Sequence, residues 1–274
     1  MSTNGILKLN QAALTLDTAD GPRTVLHPVD LQIHEGEWIA LVGSNGCGKS
    51  TLAKVMAGLQ SPTSGTVSLT AEGQPPVQLV FQNPDTSIIG ETVYEDLCFV
   101  MENYGVSEEQ MPARAAEALD KVGLANRIHA PASTLSGGQK QLLAIAGCLV
   151  VEPTIYIFDE ATSMLDPMSR QTILSIAGKL HREGKTIIWI TQLLDELADT
   201  DRVVGMEDGR LVFDGTPREF FFQRPQSGER SSCEQLGFTP PYTVRVVQQL
   251  FEQGYILNPP PLTPEQLSKA VSEL

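Results

Sequence analysis

The sequence is short of basic charge, of cysteine pairs and of long apolar runs, and each shortage removes a class of function. Lys and Arg number 19 against 33 Asp and Glu, for a formal net charge of −14, and the cations are scattered rather than run together. Such a surface repels a nucleic-acid backbone on average, so no nucleic-acid partner is expected. Cys47, Cys98, Cys148 and Cys233 lie far apart with no C-x-x-C pair. That pattern fits reduced thiols rather than a disulfide or zinc framework. Residues 1–10 lack the basic stretch followed by an apolar stretch that marks a secretory leader. The longest apolar stretches, such as 142–151, reach roughly half of what a bilayer crossing needs. Any service to a membrane is therefore expected to be peripheral. No internal repeat and no low-complexity tract is visible.

The chain has 274 residues, of which 41% are hydrophobic. That suffices for one sizeable domain with an appendage. The first 35 residues read as short strands and turns, with a loop tip at Asp20-Gly21-Pro22. Residues 38–42 form a continuous apolar strand that runs into a glycine-rich loop, and a helix is predicted from about Ser50 to Ala57, stopped by Gly58. A buried strand follows at 77–81. From about 83 to 151 the texture is helical, ending in a helix over 140–151. β texture returns at 154–158 and 186–191, with an amphipathic helix over 168–180 between them. Strand, helix, strand with apolar strands on every pass predicts an α/β fold with a mostly parallel sheet covered on both faces. A polar linker over 223–232 precedes a short C-terminal unit. There Val244, Val247, Leu250 and Phe251 fall at helical spacing. Thr263-Pro264-Glu265-Gln266 reads as a capped helix start, with Leu267, Val271 and Leu274 on one face.

The first chemical motif is Gly43-Ser44-Asn45-Gly46-Cys47-Gly48-Lys49-Ser50, which satisfies G-x-x-x-x-G-K-[ST]. Glycines let the backbone wrap a phosphate and aim N–H groups at it. The following helix, with Thr51 in its first turn, adds its positive end. Lys49 places a cation on the outer phosphates, and the Ser50 hydroxyl can ligate magnesium. The position of the motif between an apolar strand and a helix separates it from an accidental glycine-rich turn.

The second motif is an apolar run, 155–158, ending in Asp159 and Glu160. A strand emerging at the carboxyl edge of the sheet delivers Asp159 beside the phosphate loop, where it can hold magnesium directly or through water. Glu160 is then placed to orient or deprotonate an attacking water. By itself such an ending is weak evidence, since many strands end in solvated acids; the phosphate loop gives it meaning.

Between the two lies Leu135-Ser136-Gly137-Gly138-Gln139. This segment resembles the LSGGQ signature of the ABC ATPases. In order along the chain, Gln82 is similar to that family's Q-loop glutamine, which touches magnesium and senses a transmembrane partner. Residues 163–166, ending in Asp166, resemble its D-loop, which faces the opposite subunit. The resemblance covers about residues 6–222. It implies an ABC ATPase domain over 1–224, with an N-terminal antiparallel β subdomain and a helical subdomain inserted at about 83–151. It further implies ATP and Mg2+ as ligands, with Ser50, Gln82 and Asp159 around the metal. Two subunits would stack head to tail, so that Ser136, Gly137, Gly138 and Gln139 of one chain face the phosphate loop of the other.

Within the family, Phe81-Gln82-Asn83-Pro84-Asp85-Thr86 running on through 91–97, the run 159–167, and the tail at 236–242 with the capped final helix resemble the energy-coupling factor ATPases, which power bacterial uptake of vitamins and transition-metal ions. Residues 225–274 would then be a helical dimerisation extension. The implied partners are a second ABC ATPase subunit, by preference a paralogue with a homodimer possible, and a transmembrane transporter subunit. The groove receiving that subunit is expected around Gln82 and 84–100, with Phe99, Val100 and Met101 as apolar contacts or as core. The implied place is the cytoplasmic face of the membrane. The choice of transported substrate belongs to a separate membrane protein in that family. The alternatives are an importer ATPase of another ABC subgroup, and a soluble ABC protein without a transport role.

Two positions depart from the pattern. Where a switch histidine should follow the strand 186–191, the residue is Gln192, and His27, His34, His129 and His181 lie elsewhere. A carboxamide can donate a hydrogen bond to phosphate but carries neither proton nor charge at neutral pH. Slowed hydrolysis at this chain's own phosphate loop is expected, in an asymmetric dimer whose other site is served by the intact signature. The position where an aromatic usually stacks on adenine is nearest Leu16, which would be an apolar base contact or core.

Overall fold

The computed structural model describes residues 5–19, 21–73, 75–224 and 230–272. Asp20 at the expected loop tip, Leu274 on the expected last-helix face and the 224/225 boundary fall at or against residues outside that set. In chain order the strands are β1 (Gly5–Thr18), β2 (Gly21–His34), β3 (Trp38–Gly43), β4 (Ser64–Leu69), β5 (Val77–Val80), β6 (Ile155–Asp159), β7 (Thr186–Ile190), β8 (Arg202–Glu207) and β9 (Arg210–Gly215). The helices are α1 (Lys49–Met56), α2 (Val93–Asn103), α3 (Met111–Lys121), α4 (Gly137–Leu149), α5 (Pro167–Arg182), α6 (Pro217–Phe222), α7 (Ser232–Gln235), α8 (Tyr242–Glu252) and α9 (Pro264–Ser272).

A six-stranded sheet runs in the order β5-β6-β7-β3-β8-β9, with every neighbouring pair parallel except the antiparallel β8–β9 edge. The period-2 geometry of a strand explains why both faces are apolar. Ile155 and Ile157 point into one layer with Ile39, Leu41, Leu52 and Ile188, and Tyr156 and Phe158 point into the other with Trp38, Ile187 and Trp189. The first layer is closed by α1 and by an antiparallel sheet, β2-β1-β4. The second is closed by α5, through Ile173, Ile176 and Leu180, and by the helices α2 to α4. Fully burying a side chain such as Phe158 contributes about 1.5–3 kcal/mol.

The N-terminal region differs from the short strands expected. It is one hairpin of two 14-residue strands. The apolar alternation is interrupted because β1 carries register shifts between Leu9 and Ala12 and again before Thr15, with Gln11 at φ 48. A bulge of this kind moves a side chain to the opposite face, so one long strand reads as several short ones.

Helices α2 and α4 each start on a residue whose side chain binds its own first turn. The Thr92 hydroxyl accepts from the Glu95 N–H, and the Glu95 carboxylate accepts from the Thr92 N–H, a closed capping box on α2. Met101, on that helix, is fully buried and belongs to the core, whereas Phe99 is 40% exposed. Helix α4 begins three residues earlier than the apolar pattern alone indicates, because Ser136 caps it ahead of two glycines. At the last helix, Thr263 accepts from the Gln266 N–H as expected. The Gln266 side chain, however, accepts from Leu262 N–H, one residue further back than a capping box requires.

The tail is less separate than an appendage. Cys233, Val244 and Leu262 share one buried cluster with Ala40 and Val42 of β3, Val203 of β8, and Phe220 and Phe221 of α6.

Candidate active site

The apolar strand β3 is buried along its whole length and ends at Gly43, from which the loop 44–48 leads into α1. A Cβ at Gly43 would sit 2.3 Å from the Met206 carbonyl of β8, so only glycine lets the two strands approach this closely. Gly48, at φ 109, caps α1 with no side-chain bond to its first turn, which leaves the N–H groups there for a ligand. The Lys49 ammonium is 5% exposed and donates to the carbonyls of Gly43 (2.8 Å) and Ser44 (3.0 Å). Folded back over its own loop, it lies 3.8 Å from a carboxylate oxygen of Glu160. Cys47 is buried, and that burial pushes its thiol up against the opposing pull of Lys49.

Strand β6 brings Asp159 and Glu160 to the same edge. The Ser50 hydroxyl donates to Asp159 Oδ1 at 3.1 Å. Burial raises the Asp159 carboxyl above the usual carboxylate range; the Ser50 bond opposes this and the neighbouring Glu160 charge adds to it. Two hard oxygen donors on a carboxylate short of compensating charge are what a magnesium ion, which keeps water and phosphate ligands, requires of a protein. Gln82, just past β5, is not turned toward that pair. Its amide donates to Glu160 Oε2 at 3.1 Å and faces the Ser163 hydroxyl at 3.5 Å.

Glu160 has a left-handed backbone, φ 49. A non-glycine residue there costs about 1 kcal/mol, and the neighbourhood holds it: its N–H donates to the Ile190 carbonyl, and its own carbonyl accepts from the Ser163 hydroxyl. Both carboxylate oxygens are engaged. Gln192 donates to Oε1 at 2.6 Å while the same amide nitrogen lies 2.5 Å from Asn45 Oδ1 of the phosphate loop. Gln192 therefore bridges the phosphate loop to Glu160. None of the four histidines stands in its place. His181 reaches the Gly36 carbonyl and Asp201, and His27 meets Arg210.

Ser136 caps α4 in a closed box with Gln139. A Cβ at Gly137 would meet nothing within 4 Å, so that turn is open to an incoming group. Among the described residues, no hydrogen bond or ion pair joins 135–139 to the loop 43–50 of the same chain. The signature helix is tied to the Q-loop instead. Lys140 pairs with Asp85 at 2.6 Å, and the buried Gln141 donates to the Phe81 carbonyl. Asp166 caps α5, accepting from the N–H groups of Met168 and Ser169, and from the Ser169 hydroxyl. These bonds hold its carboxyl below the usual range. Met164 and Met168 beside it are 76% and 81% exposed. Leu16 pairs with Arg23 near the end of the hairpin and is partly exposed, so it is not a core residue.

The ABC transporter family profile matches residues 26–163. The chain is 40% identical over 257 residues to the energy-coupling factor transporter ATP-binding protein EcfA1 of Halalkalibacterium halodurans, covering 90% of each chain. It is 39% identical over 260 residues to EcfA1 of Bacillus subtilis, covering 91% of this chain and 90% of that one.

The chain belongs to the energy-coupling factor transporter ATP-binding protein family.

Among solved structures, this family member is similar to cbiO1 of Clostridium perfringens, part of the ABC transporter complex cbiONQ. The TM-score is 0.70 at 33% identity, covering 80% of this chain and 92% of that one. It is also similar to the ATP-binding cassette MJ0796, solved as a dimer in a post-hydrolysis state with ADP and Pi. There the TM-score is 0.69 at 27% identity, covering 78% of this chain and 100% of that one. The fold is thus the ABC ATPase α/β fold, and the chain is an ABC-type ATPase. No described helix is long and apolar enough to cross a membrane.

Two groups near the site escaped sequence reasoning. Asp96 is buried and accepts from the N–H groups of Ile89 and Gly90, shaping the turn after the Q-loop. Glu196 is buried beneath the loop of Gln192. Asp96 lies in the stretch 91–97 that resembles the family's segment after the Q-loop but had no role assigned to it, and Glu196 stands in no motif.

Proposed function

We propose that this chain binds and hydrolyses ATP as the motor subunit of a membrane importer of the energy-coupling factor class, in a dimer that sandwiches two nucleotides. The observation that carries the reading is the convergence of Lys49, Ser50, Asp159 and Glu160 at one sheet edge, with Lys49 3.8 Å from Glu160. The loop 43–48 and the first turn of α1, including Thr51, would wrap the phosphates with N–H groups. Lys49 would leave its own loop carbonyls to meet the phosphate charge. Ser50, Asp159 and Gln82 would hold magnesium, which when bound would supply positive charge against the phosphates. Glu160 would accept the proton of the attacking water, and its left-handed backbone fixes where its oxygens lie. Gln192 donates a hydrogen bond in the place where the family has an imidazole.

A second cassette would bring the signature Ser136–Gln139 to a phosphate loop, since among the described residues no hydrogen bond or ion pair joins the signature to the loop of its own chain. The intact signature beside a neutral Gln192 supports pairing with a paralogue, whose own site would be the faster of the two. A transmembrane subunit would dock in the groove of about 490 Å³ that includes Asp85, Ile88, Thr92, Pro131 and Lys140, placing this chain on the cytoplasmic face of the membrane. ATP turnover and mass should be measured for the chain alone and with paralogous ATPase subunits. The reading expects a slow chain alone and a fast dimer that loses activity when Ser136 of this chain is changed. Brisk turnover by an ATP-driven homodimer would overturn the asymmetric part of it.

A further inference from the structure

Beneath the proposed site lies a charged group that no step of the hydrolysis uses. Glu196 sits in the turn after β7, is 5% exposed, and receives three hydrogen bonds, one from the loop after Glu160 and two from the end of β7 and the residue that follows it. Thr162, two residues past Glu160, donates to Oε1 at 2.7 Å. Thr191, next to Gln192, donates to Oε2 at 2.6 Å, and the indole of Trp189 donates to the same oxygen at 2.9 Å. Thr162, Thr191 and Trp189 are themselves buried.

A fourth group faces this carboxylate without bonding to it. Arg170 stands one turn into α5, the helix capped by Asp166, and its Nε lies 3.9 Å from Glu196 Oε1. That nitrogen is buried with no hydrogen-bond partner. The Arg170 side chain as a whole is 33% exposed, yet a buried Nε–H left unbonded beside a buried carboxylate is costly until it closes on that partner. The gap is therefore a place where a small advance of α5 gains a charge-assisted bond.

The indole alone would need only one neutral acceptor. A carboxylate that also gathers Thr162, Thr191 and Arg170 does more, because each of these adjoins a group of the site. Thr162 continues the loop of Glu160. Thr191 precedes Gln192, and its hydroxyl also accepts from the Leu193 N–H, so it sets the turn that carries the Gln192 amide. Arg170 belongs to the helix capped by Asp166, whose N-terminal end would face the other subunit in the proposed sandwich.

We propose that Glu196 is a positioning residue that locks the loops of Glu160 and Gln192 to each other and couples both to α5 through Arg170. This rests on the ATPase reading above and adds a link between one chain's hydrolytic pair and the segment that meets its partner. Glu196 itself bonds to no residue of the phosphate loop, and Lys49 and the loop N–H groups stay in place, so nucleotide binding persists while the geometry at Glu160 and Gln192 relaxes.

The test uses the full-length chain assembled with its partner ATPase, comparing Glu196→Gln, Gln192→Ala and the double variant. Glu196→Gln should fold, since an amide oxygen still accepts from Trp189 and Thr191 while the amide nitrogen meets Thr162 in place of the anion. The expected result is kcat at this chain's site lower by about tenfold, with KM for ATP within about twofold. The double variant should be little worse than Gln192→Ala alone, because both changes act through one bridge. An unchanged kcat, or losses that multiply in the double variant, would overturn the proposal. So would a rise in KM that matches the fall in kcat, which marks general damage to the fold. A wild-type assembly that binds no ATP would remove the underlying reading, and this one with it, and is told apart from the other outcomes by nucleotide binding alone.

Discussion

At the scale of single residues, Gln192 decides more than any other. Its amide bridges Asn45 and Glu160 without titrating, so the rate at this chain's own site should lack the pH response of an imidazole. Gln192→His is expected to raise single-turnover hydrolysis by about tenfold or more, in line with general acid–base and electrostatic contacts. It should also introduce a pH dependence near the ordinary histidine value of about 6.5. Measuring both in one pH series checks the idea, and no gain in rate would sink it. The cysteines give a second residue-scale expectation. Burial pushes the thiols of Cys148 and Cys233 up to about 12. The thiolate is the reactive form, so alkylation at pH 8 should leave both unmodified in the folded protein and label them once it is denatured. The site itself was legible at this scale wherever the chemistry is local: the phosphate loop, the acid pair and the signature each lie within a short stretch of chain. Glu196 was not legible, because its meaning depends on Thr162, Thr191 and Arg170, which meet only in the fold.

At the scale of elements, helix starts are set by side chains that were readable but easily passed over. Thr92 with Glu95, Thr216 with Glu219 and Ser231 with Glu234 each close a capping box. Ser231→Ala should cost about 1 kcal/mol, the usual worth of an N-cap. The sign of its pH dependence follows from Glu234. Its carboxyl is held below the ordinary value of 4.5, first by the Ser231 N–H, so its contribution is complete above that value. It is lost as pH falls through the lowered folded value. Ser231→Ala keeps that N–H and removes only the hydroxyl that also donates to Glu234, so the gap in stability between parent and Ser231→Ala, followed by denaturant titration, should narrow in acid by that hydroxyl's share alone. A gap that widens there would exclude the carboxylate as the source. The parallel strands β3, β5, β6 and β7 were legible because they are apolar runs bounded by loops. Strand β8, parallel to β3, and the antiparallel edge strand β9 were not, since β8 opens on Arg202 and closes on Glu207 and β9 alternates with exposed residues. The N-terminal hairpin was misread because bulges break its alternation, and bulges leave no dependable mark in sequence.

At the scale of the whole molecule, the arrangement of layers matters most. The tail was read as an extension, yet Cys233, Val244 and Leu262 complete the layer over β3 and β8. A chain ending before residue 230 should uncover Ala40, Val42, Val203 and the α6 aromatics. It is expected to melt at lower temperature or aggregate, rather than yield a stable shorter cassette, since each lost apolar side chain carries about 1.5–3 kcal/mol. Thermal unfolding of the truncated chain checks this; an unchanged midpoint would show that the tail only rests on the surface. The same packing imposes an order on biosynthesis. Val42 leaves the ribosome long before Cys233, so β3 and the loop it carries wait half-covered through most of translation. A cell making this subunit thus holds an unfinished nucleotide site until the final segment arrives, and premature termination yields an exposed sheet rather than a free-running ATPase.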